Sequence, residues 1–266
     1  MLRSFAIAAV LLFHPGAGTA AEGDWVSFEG GRLRLVTQAM PDGGMRAGFQ
    51  IDLEPGWKTY WRAPGGSGLP PQMNFGGSRN VASVKVAFPV PEASRDSSGL
   101  TAVYEQDVTF PIDVERVFAN RPTELVAGGA IGVCRDICVP VPYRASVVHD
   151  ADAGGTSFAV ASALTAADAG RPSAPGAGHR ITSVRLSGSQ IEVEAEVPDG
   201  ASKVVLFPDG PANWYLSPVE PRSLDGTAAR FTLSLPAKRV ADAKGTTLRF
   251  LLKADGRAVE QAATVE

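Results

Sequence analysis

The two cysteines of this chain, Cys134 and Cys138, lie four positions apart and are the side chains best suited to chemistry. A disulfide between them would close a loop of five residues, and a bridge over so short a loop stabilises a fold by only about 2 kcal/mol. Disulfides in short loops tend to be exposed and readily reduced, as pairs that exchange electrons with other thiols must be. The spacing leaves two alternatives open, a redox-active pair and a structural staple.

Metal binding and hydrolysis both lack the partners that they need. Zinc takes four ligands, whereas beyond the N-terminal segment the chain offers the two cysteines and only His149 and His179, neither at ligand spacing from the pair. A cysteine nucleophile of the papain type needs a histidine base, and we interpret His149 as a solvated strand end and His179 as a linker residue. We expect no metal and no cofactor other than the disulfide.

Residues 1–21 have the features of an export signal. Arg3 supplies the positive charge, residues 5–13 form an apolar run too short to span a bilayer, and small residues precede an expected cleavage after Ala20 or Ala21. No later segment approaches the roughly 20 apolar residues of a membrane-spanning helix. We therefore expect a periplasmic protein without direct membrane insertion, in an oxidising space where disulfides persist.

Length and composition predict a β protein of two domains. The chain has 266 residues, more than one sandwich of about 100 residues needs, and its 20 prolines and 29 glycines leave little room for long helices. Polar and apolar residues alternate in segments 32–37, 46–53 and 108–114, as in half-buried strands. The net charge of −3 provides no basic field for nucleic acid, which we exclude as a partner.

A change in composition divides the chain into an export signal (1–21), a first β-sandwich (22–150), a linker rich in Ala, Gly and Pro with a short helix (151–179) and a second β-sandwich (180–266). The helix is predicted over 156–167, with Phe158, Ala161 and Leu164 on its buried face. Residues 170–176 are predicted to have no fixed structure. Second-sandwich strands are predicted at 181–186, 190–197, 203–207, 230–235 and 247–253.

Several aromatic and acidic side chains near the pair have ordinary interpretations. Trp57, Tyr60 and Trp61 could line a groove for a partner, but aromatic residues of a short strand are more often packed in the core. Asp136 and Tyr143 could assist proton transfer, but we favour a solvated loop carboxylate and a strand tyrosine.

Three segments together carry a resemblance to a known family. They are residues 55–71 (P-G-W-K-T-Y-W-R-A-P-G-G-S-G-L-P-P), residues 91–100 followed by Tyr104 and the Phe110-Pro111 pair, and residues 134–140 (C-R-D-I-C-V-P). Over residues 25–148 the chain resembles the N-terminal periplasmic domain of the thiol:disulfide interchange protein DsbD, especially its ScsB-type relatives. The resemblance implies two immunoglobulin-like β-sandwiches, the first carrying a cysteine pair that relays electrons.

The resemblance also implies roles for individual residues. Cys138 corresponds to the cysteine that forms mixed disulfides with partners, and Cys134 to the one that resolves them. The cap loop that shields the family's pair corresponds to residues 95–100, where Ser97 and Ser98 replace the shielding aromatic residue and Leu100 could take its place. These three residues and Tyr104 are the candidate cap or partner surface.

Partners follow from the same resemblance. Family members continue into membrane helices and a thioredoxin-like domain, which this chain lacks, so we expect separate proteins to complete the relay. The expected donor is a membrane thiol transporter of the DsbD or CcdA type, and the expected acceptors are periplasmic thioredoxin-like or disulfide isomerase proteins. The activity implied is that of a protein-disulfide reductase or electron relay. The alternative is an envelope binding or assembly module with a structural disulfide.

Overall fold

The chain folds almost entirely into antiparallel β-sheets in a computed structural model that describes residues 19–96, 99–150, 155, 157–211 and 213–266. Strands account for 55% of the residues and helices for 8%, which confirms the prediction of an all-β chain with one short helix. Among the described residues, no helix is long and apolar enough to cross a membrane. Most of the expected export signal lies outside the described residues, and the expected cleavage points, Ala20 and Ala21, lie in the first strand.

The first half of the chain forms two six-stranded sheets. One has the order β1-β3-β4-β10-β7 with β2 paired to β3, and the other has the order β12-β11-β5-β9-β8 with β6 paired to β11. The strands are β1 (Ala20–Glu22), β2 (Val26–Phe28), β3 (Gly31–Ala39), β4 (Met45–Leu53), β5 (Lys58–Tyr60), β6 (Gln72–Asn74), β7 (Val81–Val86), β8 (Glu92–Asp96), β9 (Gly99–Tyr104), β10 (Val108–Arg116), β11 (Thr123–Cys134) and β12 (Cys138–His149).

The second half forms a four-stranded sheet, β13-β14-β17-β16, and a three-stranded sheet, β15-β18-β19. A helix, α1, lies between the two halves, and a short 3-10 helix (Ala237–Arg239) precedes α2. The elements are α1 (Phe158–Ala169), β13 (Arg180–Ser187), β14 (Gln190–Glu196), β15 (Val204–Asp209), β16 (Ser223–Asp225), β17 (Ala228–Ser234), α2 (Val240–Ala243), β18 (Thr247–Ala254) and β19 (Arg257–Thr264).

Alternating side chains build the core of the first sandwich. In β3 and β4, Leu33, Leu35, Phe49 and Ile51 are buried between the two sheets, while the intervening side chains lie on the other face. Phe49 packs on the ring of Tyr143 from the opposite sheet, with ring centroids 5.0 Å apart. The alternation that predicted these strands is therefore the pattern that buries their side chains.

The helix differs from its prediction in the face that it buries. Helix α1 begins at Phe158, is capped by the Ser157 hydroxyl, and buries Val160, Leu164 and Ala167 at the spacing i, i+4, i+7. Phe158 is 88% exposed, so its assignment to the buried face was wrong, and Ala161 is only partly buried. Because Phe158 is the first helical residue, its side chain lies at the end of the helix and away from the contact surface.

The segment 170–176 has defined tertiary contacts, so the prediction that it lacks fixed structure was wrong. The Val90 amide donates to the Gly170 carbonyl, and Ser173 exchanges backbone hydrogen bonds with β19. Arg171 forms ion pairs with Asp113 and with Asp168 of the helix. Backbone hydrogen bonds with Val90 and with β19 therefore hold this segment in place, and composition does not reveal them.

The two sandwiches share an apolar contact. Phe207 of β15, Leu251 of β18 and Ala258 of β19 are buried in the cluster that forms the core of the first sandwich. The Phe207 ring meets Trp61 edge to face, with centroids 6.0 Å apart. Beside them, Arg62 pairs with Asp209 at 2.8 Å. The three-stranded sheet therefore contributes to both cores.

Candidate functional site

A disulfide joins the two cysteines at the end of the long hairpin formed by β11 and β12. The strands pair in register from Thr123 opposite His149 to Cys134 opposite Cys138, and the disulfide spans the final pair with its Cα atoms 4.1 Å apart. Residues 135–137 form the turn. The disulfide thus lies at the end of the β11–β12 hairpin, at the edge of its sheet.

The two cysteines differ in their access to solvent. Cys134 is 5% exposed, because it lies inside the sheet where β11 also pairs with Lys58 of β5. Cys138 is exposed, because it begins β12, which is the last strand of its sheet. A thiol from another protein can therefore approach Cys138 but not Cys134.

Tyr60 contacts the exposed cysteine directly. Its hydroxyl donates a hydrogen bond to Cys138 Sγ at 2.9 Å. Burial, and secondarily the negative charge of Asp96, raise the pKa of Tyr60, so the hydroxyl keeps its proton and remains a donor. After reduction, the same donor would stabilise the thiolate of Cys138 and lower the pKa of its thiol.

Strand register explains how Tyr60 reaches the sulfur. Cys134 lies opposite Lys58 and Tyr60 lies opposite Val103 of β9. Because side chains two positions apart share a face, Cys134, Tyr60 and Val103 lie on one side of the sheet, where they form a small buried cluster. Asp96 of β8 lies on that side as well, since β8 and β9 pair with Glu92 opposite Val103.

The glycine-rich segment 62–71, which we name the cover loop, lies over this cluster. A Cβ atom added to Gly68 would lie 3.0 Å from the Tyr60 ring, and one added to Gly132 would lie 2.5 Å from Leu69 Cβ and 2.7 Å from the Tyr60 ring. The Ser67 hydroxyl bonds to that of Thr101 in β9 at 3.0 Å. Gly132 therefore allows the loop and Tyr60 to approach the strand beside the disulfide.

Charged and apolar side chains surround Cys138. Arg135 and Asp136 form an exposed ion pair at 3.2 Å, so their effects on a nearby thiolate largely oppose each other. Between them and Cys138, Ile137 is 74% exposed, and Leu69 of the cover loop is 36% exposed. Exposed apolar side chains next to a reactive sulfur are typical of a surface that another protein contacts.

The candidate cap residues have different positions. Ser97 and Ser98 lie outside the described residues. Leu100 is partly buried in β9, opposite Arg95. Tyr104 is buried, its hydroxyl donates to the Pro89 carbonyl at 2.8 Å, and its ring packs edge to face on Phe110.

The aromatic and acidic residues near the pair also have defined places. Trp57, Tyr60 and Trp61 are buried, in agreement with packing in the core. Tyr143 is buried and donates to the Gln72 carbonyl, and it lies five register steps, or about 16 Å, from the disulfide. Asp136 is a solvated loop carboxylate. Tyr60 lies in the 55–71 motif, but its contact with Cys138 was not predicted, because 78 residues separate the two in sequence.

In the part of the chain that the structure describes, no group of three or more His, Cys, Asp or Glu side chains could hold a metal ion. The site itself contains the Cys134–Cys138 disulfide. Its reduction needs two electrons and two protons, and its exposed sulfur can form a bond to an incoming thiolate.

Fold and site together define a tandem β-sandwich protein with a disulfide at the edge of the first sandwich. Residues 32–149 match the family model described as "Thiol:disulfide interchange protein DsbD, N-terminal". The first sandwich is therefore similar to the DsbD N-terminal family, as its motifs indicated.

A solved structure extends the similarity to both sandwiches. The chain is similar to the N-terminal periplasmic domain of ScsB from Proteus mirabilis, with a TM-score of 0.75 and 21% sequence identity. The match covers 94% of this chain and 99% of that chain, and at this identity it establishes a shared fold. A search of curated proteins found no match.

Proposed function

We propose that this chain is a periplasmic thiol–disulfide exchange protein that relays electrons between a membrane thiol transporter and exported disulfide-containing partners. The observation that carries the proposal is the unequal exposure of the two sulfurs, with Cys138 accessible and Cys134 buried behind it. The match of residues 32–149 to the DsbD N-terminal family model supports the reaction class. The similarity to a periplasmic domain supports the compartment.

The relay proceeds in balanced steps. A membrane dithiol reduces the Cys134–Cys138 disulfide, gives up two electrons and two protons, and is itself oxidised to a disulfide. The Cys138 thiolate then attacks the disulfide of a partner, which releases one partner thiolate and forms a mixed disulfide. Cys134 attacks Cys138 Sγ, the partner leaves with both thiols reduced, and the original disulfide forms again.

The surroundings of Cys138 support each role. Tyr60 donates to the sulfur that must act as a thiolate, and Ile137 and Leu69 offer apolar contact area to a docking protein. Cys134 lies within bonding distance of Cys138 and has no access of its own, which suits a resolving thiol.

Trapping tests this proposal. In the Cys134→Ala variant the mixed disulfide cannot be resolved, so we expect exported protein to carry adducts that involve Cys138 and disappear on reduction. The matched control is the Cys134→Ala, Cys138→Ala double variant, which should carry none. A folded Cys134→Ala protein without adducts would contradict the proposal.

The reduction potential separates this function from that of a structural staple. Exchange predicts a value of about −230 to −180 mV, as in glutaredoxins and protein disulfide isomerase, whereas a staple predicts a value below about −300 mV. Equilibration with glutathione buffers measures it on the purified protein.

A further inference from the structure

The hairpin of β8 and β9 is attached to the second sandwich at two points. Near its base, Lys253 of β18 donates to the Pro91 carbonyl at 3.1 Å and to the Glu92 carboxylate at 2.5 Å. Near its tip, Arg95 pairs with Glu220 at 2.7 Å. The Lys253 side chain is only 14% exposed, so its charge is partly shielded from solvent.

The cover loop is attached to the same sandwich. At its start, Arg62 lies between Asp209 of β15 and Glu260 of β19, at 2.8 Å and 3.0 Å. Further along, the Gly66 amide donates to the Ser217 hydroxyl at 3.2 Å. The Arg62 and Asp209 side chains are 16% and 13% exposed, so this ion pair is less screened than one on the open surface.

Both attached segments border the sulfur that exchanges. The hairpin supplies Val103 next to Tyr60 and the carboxylate of Asp96 that raises the pKa of Tyr60. The cover loop packs Leu69 and Gly68 against Gly132 and the Tyr60 ring. Any movement of either segment would therefore change the access to Cys138 and the position of the hydroxyl that contacts it.

We propose that the second sandwich is a positioning domain for the redox pair, which holds the β8–β9 hairpin and the cover loop beside Cys138 through Lys253, Glu220 and Asp209. The proposal rests on the exchange function proposed above and assigns the second sandwich a role in it. A cleft of about 880 Å³ separates the hairpin from the second sandwich and is bordered by Ala93, Leu100 and Lys203. Because the hairpin has this space behind it, the ion pairs across the cleft fix its position.

The test measures how fast dithiothreitol reduces the disulfide of the full chain. The Glu220→Gln, Lys253→Met double variant releases the hairpin at both points, and we expect reduction to accelerate about three- to fivefold, the change that loss of exposed ion pairs produces. Added salt should accelerate the wild type toward the variant and affect the variant less, because salt screens the pairs that the variant lacks.

Controls separate positioning from general loss of structure. Glu194→Gln removes a carboxylate of the second sandwich that pairs with Arg185 and Arg230, away from the hairpin, and should leave the rate unchanged. Arg95→Glu alone should accelerate reduction, and Arg95→Glu with Glu220→Arg should restore the wild-type rate. This reversal of charge gives a result even if the first double variant does not fold.

Equal rates in the wild type, the folded double variant and Arg95→Glu would overturn the proposal, as would an accelerated rate that the charge reversal does not restore. Dithiothreitol needs no docking surface, so this result is independent of the trapping experiment. Adducts at Cys138 with no change in these rates would leave the exchange function standing and reject the positioning role alone.

Discussion

At the scale of single residues, the hydrogen bond from Tyr60 to Cys138 Sγ has the clearest chemical consequence. Because the pKa of buried Tyr60 is raised, its hydroxyl keeps its proton and remains a hydrogen-bond donor. A donor in contact with a thiolate stabilises the negative charge of the sulfur. Burial and, secondarily, the charge of Asp96 keep the proton on the Tyr60 hydroxyl. The reactivity of Cys138 therefore depends on this hydroxyl.

Replacing Tyr60 with Phe should raise the pKa of the Cys138 thiol by about one to two units, because a hydrogen bond to a charged group contributes about 1.5 to 3 kcal/mol. The rate of alkylation of the reduced protein, followed against pH, reports this pKa. The ring remains in place, so we expect little change in folding.

Tyr143→Phe is the matched control, since Tyr143 is also buried and donates to a backbone carbonyl far from the sulfur. Its alkylation profile should coincide with that of the wild type. Identical profiles for Tyr60→Phe and the wild type would show that the hydroxyl does not act on the thiolate.

The sequence identified the cysteine pair but could not identify Tyr60 as its neighbour. The pair is recognisable because four positions is a spacing that one turn can close. Tyr60 lies near the sulfur because β5 pairs with β11, which places Tyr60 and Cys134 on the same face of the sheet. This register depends on pairing between segments that are distant in sequence.

At the scale of the elements, the β11–β12 hairpin provides a fixed platform, and a glycine decides how closely its neighbours approach. Gly132 lies two residues before Cys134 and faces both Leu69 and Tyr60. A side chain here would separate the cover loop and Tyr60 from the strand. The platform therefore depends on the absence of a side chain at this position.

Gly132→Ala should destabilise the fold by about 1 to 3 kcal/mol, the usual cost of overpacking a filled site. Urea unfolding measures this change. Gly128→Ala on the same strand is the control, because an added Cβ there meets only the Tyr143 carbonyl oxygen at 3.8 Å and should change stability by less than about 0.5 kcal/mol. Equal effects of the two substitutions would mean that the contact at Gly132 is not tight.

Long strands were predictable from alternation, whereas short elements were not. The predicted segments 46–53, 108–114 and 247–253 coincide closely with β4, β10 and β18, because each has one face in a core. Strands β5 and β6 have three residues each, too few to show a period, and only their pairing with longer strands forms them. The buried face of α1 was mistaken because Phe158 is the largest apolar residue of the segment and yet stands outside the contact.

At the scale of the whole molecule, one buried and one partly buried histidine make stability depend on pH. The interpretation of His149 as a solvated strand end was wrong, because it is 1% exposed and bonds to the Thr37 hydroxyl at 3.1 Å. Burial, with a smaller effect of Arg116, lowers the pKa of His149, while Asp150 opposes this shift. Burial also lowers the pKa of His179. Both imidazoles are held in their neutral form by the fold.

The sign of the pH effect follows from these directions. A lowered pKa means that the unfolded chain binds protons more readily than the folded one, so stability is fully present above the unfolded value of about 6.5 and is lost as pH falls toward the folded value. Each histidine contributes a slope of at most about 1.4 kcal/mol per pH unit in this window.

We therefore expect the free energy of unfolding to decline between about pH 7 and pH 5, and His149→Gln to make the decline shallower. Chemical denaturation at a series of pH values measures both slopes. His179→Gln tests the second histidine in the same way. A decline that neither substitution changes would assign the pH dependence to other groups.

Phe207 belongs to the second half of the chain in sequence and to the first half in packing, since its ring rests on Trp61. A fragment that ends at the 170–176 segment would lack Phe207, so the indole of Trp61 in the first sandwich would be exposed to water. Such a truncated protein would tend to self-associate, and its properties would reflect the truncation rather than those of the intact protein. The smallest unit suitable for biochemical work is thus the pair of sandwiches, expressed and purified as one body.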